Sequence, residues 1–481
     1  MSKKKKEEKT SKASLGIRII SIITTLLLIV TSCLLIYRVV KINLIPNKFI
    51  IIGSVILGII DLIFLLISLA KRKNVWKIIN IILAILLSVG FIFGIKTLHK
   101  SEKSIEILFE DKEIASTYYV LTTNESEFDS IDKLNNQNIG LMEMNSEKVK
   151  AKLKDYNFNY NIFTSIGELT YSIDLTNSGI ILSKDVYEFL NEEDEEYIKS
   201  LRKVYEIDIT ITKEEVKEEK MESTITAGNS FVVYISGVDD SNVLSDVNIL
   251  VAVNPDTHKI LLVNTPRDYY VQIAGTTGLK EKLTHGGFYG INTQIKTMSN
   301  LYNVKIDSYV KVGYGAVTTI VNDIGGIDVY SDKDFVTSHK PRKHMKVGMN
   351  HLNGQEALAF AQERYAYQSG DRHRGQNQEA VITAIIKKVS TNKSLLLKYD
   401  QFLADLSPHV QTNVNINDAK DMVKKQIDEM ATWNVESISV NGANSENYTA
   451  SYPRQRTYVM IPDQATVDNA HNKIMEVIRG A

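Results

Sequence analysis

Three apolar runs, Ile19 to Tyr37, Phe49 to Ala70 and Val75 to Ile95, fill most of the first hundred residues, and each is close to the ~20 residues a helix needs to cross a bilayer. In hydrocarbon every backbone N–H and C=O must be satisfied within the segment, so such runs are expected to form membrane-spanning helices. Their number and length do not fit a cleavable signal peptide, which carries a single short apolar region. The chain is therefore expected to stay anchored. Lys3 to Lys6, Lys9 and Lys12 precede the first run, and Lys71, Arg72, Lys73 and Lys77 surround the turn after the second. That excess of basic residues places both segments in the cytoplasm and everything beyond the third run outside the cell. Arg38, Lys41 and Lys48 in the intervening outer loop reduce the contrast without reversing it. Asp61, in the middle of the second run and without a basic intramembrane partner, is expected to hydrogen-bond to another span rather than to serve a relay.

The sole cysteine, Cys33, falls in the first run, so the exported part has no disulfide available and must rest on ordinary hydrophobic cores. Thiol catalysis and thiolate metal sites are excluded with it. A net charge of −1 argues against a nucleic-acid partner, and the short basic N-terminus reads as a topology signal.

From Thr212 to Ser223 the chain is charged and almost free of apolar residues, as in a solvated linker. The expected organisation is a cytoplasmic tail over 1–14, three spans over 15–97, an extracellular accessory α/β domain over 98–211, a charged linker over 212–226 and a larger domain over 227–481. The accessory part alternates strand-like pieces (Tyr118 to Thr122, Ile139 to Glu143, Gly179 to Leu182) with a helical piece, Asn145 to Lys154. Its Ile131 to Met142 segment resembles one lobe of extracellular solute-binding proteins, yet no ligand set accompanies it, and a positioning or protein-contact role is expected. The larger domain begins with closely spaced apolar strands at Phe231 to Ile235, Val247 to Val253 and Ile260 to Asn264. Runs without alternation suggest a sheet covered on both faces, with helices at Asn292 to Tyr302, Ala316 to Ile324, Gln355 to Arg364 and Gln376 to Val389. The expected architecture is a three-layer α/β/α domain. Asn353 and Glu356 form a candidate capping box.

Only 12 of the 56 basic residues are arginine, yet Arg364, Arg372 and Arg374 fall within eleven positions, beside Asp371 and ahead of a helix expected to begin near Gly375. Guanidinium forks match phosphate oxygens in pairs, and a helix N-terminus adds N–H donors and dipole. Asp371 among the arginines suggests a metal-bound phosphate. Asp246 precedes one strand, and Thr265-Pro266-Arg267-Asp268 follows another on a turn that Pro266 prevents from continuing the strand. Two carboxylates and several guanidinium groups make up what a magnesium-bound pyrophosphate requires. Gly313-Tyr314-Gly315 lacks a third glycine in register, and His339 and His344 lie in a basic loop without ligand company. Tyr365 and Tyr367 are suited either to stack on a sugar or to pack.

Ser245-Asp246-Val247-Asn248-Ile249-Leu250, Thr265-Pro266-Arg267-Asp268, Lys282-Leu283-Thr284-His285, Gly325-Gly326-Ile327, Glu363-Arg364-Tyr365 and Asp371-Arg372-His373-Arg374-Gly375-Gln376-Asn377-Gln378 together resemble the LytR-CpsA-Psr family in content, order and spacing. Three spans followed by an accessory domain are similar to its capsule-type CpsA members. The resemblance implies a membrane-anchored extracellular phosphotransferase of Gram-positive bacteria that moves a capsular or wall glycopolymer from a polyprenyl-pyrophosphate carrier to peptidoglycan, with pyrophosphatase activity as the variant in which water is the acceptor. It implies Arg267, Arg364, Arg372, Arg374 and Gln378 for the pyrophosphate, and Asp246 and Asp371 for magnesium, or manganese in its place. Asp371, Arg267 and Arg374 are the implied catalytic residues, Asp371 as base. Membrane proteins of polysaccharide synthesis are further implied partners. The alternative is a non-catalytic lipid-binding scaffold or a transmembrane regulator. Leu244 stands where the family usually has arginine before the Ser-Asp pair, so one phosphate contact is expected to be missing, with Lys280 or Lys282 as candidates to replace it.

Overall fold

A computed structural model describes residues 2–70, 73–108, 114–173, 175–211, 221–238, 244–368, 370–391, 405–406 and 409–480. The chain divides into two compact units, one gathering the first 108 residues with Ile416–Ala431, the other holding most of the rest.

The first unit contains α1 (Ser2–Ile42), α2 (Asn47–Leu69) and α3 (Asn74–Leu108). Leu15–Ile42, Asn47–Leu69 and Asn74–Lys100 are long and apolar enough to cross a membrane. Where lipid offers no hydrophobic drive for association, buried polar side chains join such helices. Here Asn80 Nδ2 donates to Ser68 Oγ at 2.9 Å and to Thr25 Oγ1 at 3.2 Å, while the Ser21 and Ser68 hydroxyls lie 2.8 Å apart. Asp61 accepts from Ser32 Oγ of α1 at 3.2 Å, the interhelical hydrogen bond expected of it. Arg38 and Lys41, which blurred the charge asymmetry in the sequence, both pair with Glu102 on α3, at 3.3 and 2.8 Å.

In the second unit, β1 (Ile114–Thr123), β2 (Asn138–Met142), β3 (Asn159–Phe163), β4 (Gly179–Ser183) and β5 (Leu201–Ile211) form a mixed sheet in the order β3-β2-β4-β1-β5. Strand side chains alternate between faces, and so Tyr119, Leu121, Ile180 and Leu182 enter one core while Tyr118, Val120 and Ile181 enter the other. Helices α4 (Ser146–Lys152), α5 (Ile166–Ser172), α6 (Lys184–Glu193) and α7 (Glu195–Lys199) accompany the sheet. Ser165, Ser183 and Asp194 accept backbone N–H bonds at the starts of the last three. Most of the charged linker, 212–220, lies outside the described residues.

The second sheet is built from β6 (Phe231–Val238), β7 (Ser245–Asn254), β8 (Lys259–Thr265), β9 (Ser308–Gly313), β10 (Val410–Thr412) and β11 (Asn434–Ser439), in the order β10-β9-β6-β7-β8-β11. The β9/β6 and β8/β11 pairs are parallel and the other three antiparallel. Its helices include α8 (Ile291–Tyr302), α9 (Tyr314–Asp323), α10 (Gly354–Ala361), α11 (Asp371–Thr391) and α12 (Gln464–Arg479). Tyr234, Leu250, Ala252, Leu261 and Val263 pack with Ile295 and Met298 of α8 and Ile474 of α12. Ile249, Val251, Ile260 and Leu262 turn to Ile382 and Ile386 of α11. Strands covered on both faces explain the near-continuous apolar runs, and the three layers are those expected. The Asn353/Glu356 capping box is present at the start of α10, both bonds being 3.0 Å.

Two boundaries differ from the sequence expectation. Helix α11 begins at Asp371 rather than near Gly375, so the Asp-Arg-His-Arg run is its first turn and not a loop ahead of it. Helix α10 ends at Ala361, before the first arginine of the cluster, because Glu363 pulls the next residues into a turn. Its carboxylate, fully buried, accepts from the N–H groups of Tyr365 and Ala366 at 2.7 and 3.0 Å and from Ser338 N at 2.5 Å. Burial pushes this carboxyl up, but the three backbone donors outweigh it and hold the group below its usual range.

Candidate functional site

A surface cleft at one end of the second sheet is lined by Asp246, Asn264, Thr265, Pro266, Arg267, Arg374, Gly375, Gln378, Ser439 and Val440. Three elements of the sheet and one helix supply it. Asp246 sits inside β7, held beside a buried polar network in which Tyr234 Oη donates to Asn248 Oδ1 at 2.6 Å and the Ser236 and Ser245 hydroxyls are 2.8 Å apart. Arg267 lies on the turn after β8, closed by a Tyr269 N to Pro266 O bond of 3.2 Å. Arg374 and Gln378 are one turn apart on α11 and so share a face. Close approach of that helix depends on Gly375: a Cβ there would come within 2.3 Å of Asn264 Nδ2.

Arg267 Nη1 donates to Asp246 Oδ1 at 2.7 Å, with both side chains largely buried. Asp268 flanks the pair, 3.8 Å from Arg267 Nε and 3.5 Å from Lys282 Nζ. The structure thus brings Asp246, Arg267, Arg374 and Gln378 to one cleft. Arg364 does not line it. Its guanidinium is stacked 4.7 Å from the Tyr365 ring and donates to Tyr365 Oη at 2.6 Å. The side chains of Asp371 and Arg372 lie outside the described residues. Lys282 is committed to Asp268, and Lys280 lies 5.8 Å over Tyr270, so neither enters the cleft. The two tyrosines now separate: Tyr367 is packed 3.4 Å against the His373 ring, while Tyr365 is 67% exposed. His344 pairs with Asp334 in an exposed hairpin, and among the described residues no three His, Cys, Asp or Glu side chains gather as a metal group. Magnesium takes one or two carboxylates together with phosphate oxygens, and Asp246 at the cleft is a donor of that kind.

Leu244 has a structural reason. It packs against a core shared by the two parts, which holds Phe189 of the accessory part and Phe288 and Tyr452 of the larger one, one residue before β7. Leu244→Arg is expected to lower stability by about 1–3 kcal/mol, through a charge set against that cluster, without strengthening pyrophosphate binding. Thermal unfolding and a binding titration on the same preparation check both parts. The Lys282-Leu283-Thr284-His285 motif serves the same interface. Glu281 and His285 form a buried pair at 2.7 Å, and His285 lies against Phe189, Phe288 and Tyr452. Ser165 of the accessory domain donates to Ala450 O at 3.1 Å.

Glu379 carries no distinguishing signal in the sequence. Next to Gln378 on α11 and buried, it accepts from Ser439 Oγ at 3.1 Å through Oε2, while Oε1 has no partner within hydrogen-bond geometry among the described residues. Burial pushes its pKa from 4.5 up to about 8, so it is mainly protonated at neutral pH. The folded state holds this proton more tightly than the unfolded one. Its contribution to stability is therefore complete below pH 4.5 and is lost as pH rises through about 8. Wild type is expected to lose about 1.4 kcal/mol per pH unit across that window relative to Glu379→Gln. Denaturation at several pH values tests this, and parallel profiles would refute it.

The LytR_cpsA_psr family model matches residues 197–473, more than half of the chain. Over 207 residues the chain is 33% identical to the polyisoprenyl-teichoic acid–peptidoglycan teichoic acid transferase TagU of Bacillus cereus, covering 42% of this chain and 66% of the relative. Over 240 residues it is 30% identical to the enzyme of the same class, TagV, of Bacillus subtilis, covering 48% and 59%. The chain thus spans about two thirds or less of these relatives. The crystal structure of B. subtilis TagV superposes with a TM-score of 0.46 and 27% identity, over 52% of this chain and 98% of that one. With the matched region containing the whole cleft, the chain belongs to the LytR_cpsA_psr family.

Proposed function

We propose that this protein is a membrane-anchored transferase that moves a wall or capsular glycopolymer from a polyprenyl-pyrophosphate carrier to peptidoglycan on the outer side of the membrane. The observation that carries the reading is the meeting of Asp246, Arg267, Arg374 and Gln378 in one cleft at the sheet end. The teichoic acid transferases among its relatives act, by name, on a polyisoprenyl-linked polymer and peptidoglycan.

In this reading the guanidinium groups of Arg267 and Arg374 hold the two phosphates and offset charge on the non-bridging oxygens, and the Gln378 amide donates beside them. A peptidoglycan hydroxyl attacks the phosphorus that carries the glycan. The bond from that phosphorus to the bridging oxygen breaks, polyprenyl phosphate leaves, and Asp371 takes the hydroxyl proton. Bound magnesium, held by Asp246 and Asp371, would neutralise further charge on the phosphates. The lipid chain is assigned to the sheet face toward α11, where Val247, Ile382 and Ile386 are half-buried beside the cleft-bearing helix. The test is release of polyprenyl phosphate from a polyprenyl-pyrophosphate glycan by the full chain, with magnesium or a chelator, beside Arg374→Ala. Metal-dependent release lost in the variant supports the reading. Binding without release in the presence of a peptidoglycan acceptor would instead leave a lipid-binding scaffold.

A further inference from the structure

The helix Ile416–Glu429 belongs to the same compact unit as the membrane helices, yet none of its residues is buried. At 100° per residue, Ile416, Ala419, Val423 and Ile427, with Met430 just beyond, share one face, and Val423 and Met430 are each 38% exposed. Lys420 and Lys424 border this apolar stripe on one side, while Asp418, Asp421, Lys425 and Glu429 occupy the opposite face. The helix is tied to the segment that joins α1 to α2. Lys48 Nζ pairs with Asp428 Oδ1 at 2.5 Å and donates to Asp428 O at 3.4 Å, and Lys424 Nζ donates to Asn43 Oδ1. Since α1 ends at Ile42 and α2 begins at Asn47, these anchors lie where the two apolar helices leave hydrocarbon.

We propose that the Ile416–Glu429 helix is a membrane-surface element. It lies in the leaflet from which Asn43–Lys48 emerges, with its Ile416-Val423-Ile427 face in the headgroup–acyl boundary and Lys420 and Lys424 on lipid phosphates. The proposal rests on α1 to α3 spanning a bilayer, and is independent of the transferase chemistry. An apolar stripe flanked by lysine stems, with acidic groups turned to water, is the pattern of an interfacial helix. The occupant is identified as lipid because the Lys48–Asp428 and Lys424–Asn43 contacts pin the helix beside the segment at the membrane exit, where its lysine-flanked apolar stripe meets the headgroup boundary. The chain order gives this seat a consequence. The helix runs through Met430–Trp433 into β11, whose last residue, Ser439, lines the cleft. A bilayer-seated helix is thus joined by one strand to the site that would receive a lipid-borne pyrophosphate.

The test uses the full chain with Cys33→Ser, reconstituted in vesicles of phosphatidylglycerol and phosphatidylethanolamine and carrying a nitroxide at Val423→Cys or, on the opposite face, Asp421→Cys. Membrane seating predicts an oxygen-to-nickel-chelate accessibility ratio several-fold higher at 423 than at 421. Equal access of the chelate to both positions would overturn it. Shielding of 423 from oxygen and chelate alike would also overturn it, showing the stripe covered by protein, either this chain or a second copy. Met430→Cys, on the same face, gives an independent reading where Val423→Cys does not fold.

Discussion

Replacing Arg267 by alanine is expected to lower kcat/KM for the transfer by about 10²- to 10³-fold, the usual cost of removing one donor from a site where phosphoryl charge develops. The residue has two partners to lose. In the free protein it satisfies Asp246 Oδ1 at 2.7 Å, and in the proposed complex it faces the pyrophosphate. Arg267→Lys is expected to recover little, because an ammonium cannot bridge carboxylate and phosphate with a planar fork. Loss of activity should exceed loss of stability, since the pair retains some solvent access and its contribution to folding is modest. Steady-state kinetics beside melting curves separates the two. A variant whose activity falls only in step with its folded fraction would remove Arg267 from the catalytic machinery.

The largest stability effect is expected at a carboxylate outside the cleft. Glu281 is 1% exposed and accepts from Ser451 N at 2.6 Å, Lys282 N at 2.8 Å and the His285 ring at 2.7 Å. Burial alone would raise its pKa, yet the charge of His285 and these donors outweigh burial and keep it below the usual range. Stability from this group is present above its unfolded pKa and lost as pH falls through the lower folded value. Glu281→Ala is expected to destabilise the fold by about 3–5 kcal/mol, as when one partner of a buried pair is removed. Differential scanning calorimetry of the full chain in detergent tests the magnitude. A change below about 1 kcal/mol would mean that water replaces the lost acceptor.

The three long apolar helices, the two α/β parts, the covered sheet and the Asn353 capping box are legible in the sequence because each rests on local periodicity or turn chemistry. So are Asp246, Arg267, Arg374 and Gln378, whose positions at strand ends and on one helix face bring them together. What escapes is set by long-range packing. Arg364 belongs to the same motif but turns to Tyr365, and nothing in the spacing shows that Glu363 ends the helix before it. Leu244 reads as a missing phosphate ligand until the core shared by the accessory and larger parts is seen against it. The Lys282 to His285 motif lies at the seam between the accessory and larger parts, where Phe189 meets His285 and Phe288, a placement that its spacing does not reveal. Glu379 gives no sequence signal, since a carboxylate beside Gln378 on a helix is ordinarily solvated.

Transfer, not binding, is what the proposed activity requires. The most direct test supplies the full chain in vesicles with a polyprenyl-pyrophosphate-linked glycopolymer, magnesium and a peptidoglycan acceptor, and analyses muramidase-digested product by mass spectrometry. The expected product is a phosphodiester joining glycan to peptidoglycan, formed by wild type and lost with Arg267→Ala or Arg374→Ala. Polymer that stays lipid-linked, with the chain folded and the carrier bound, would contradict it.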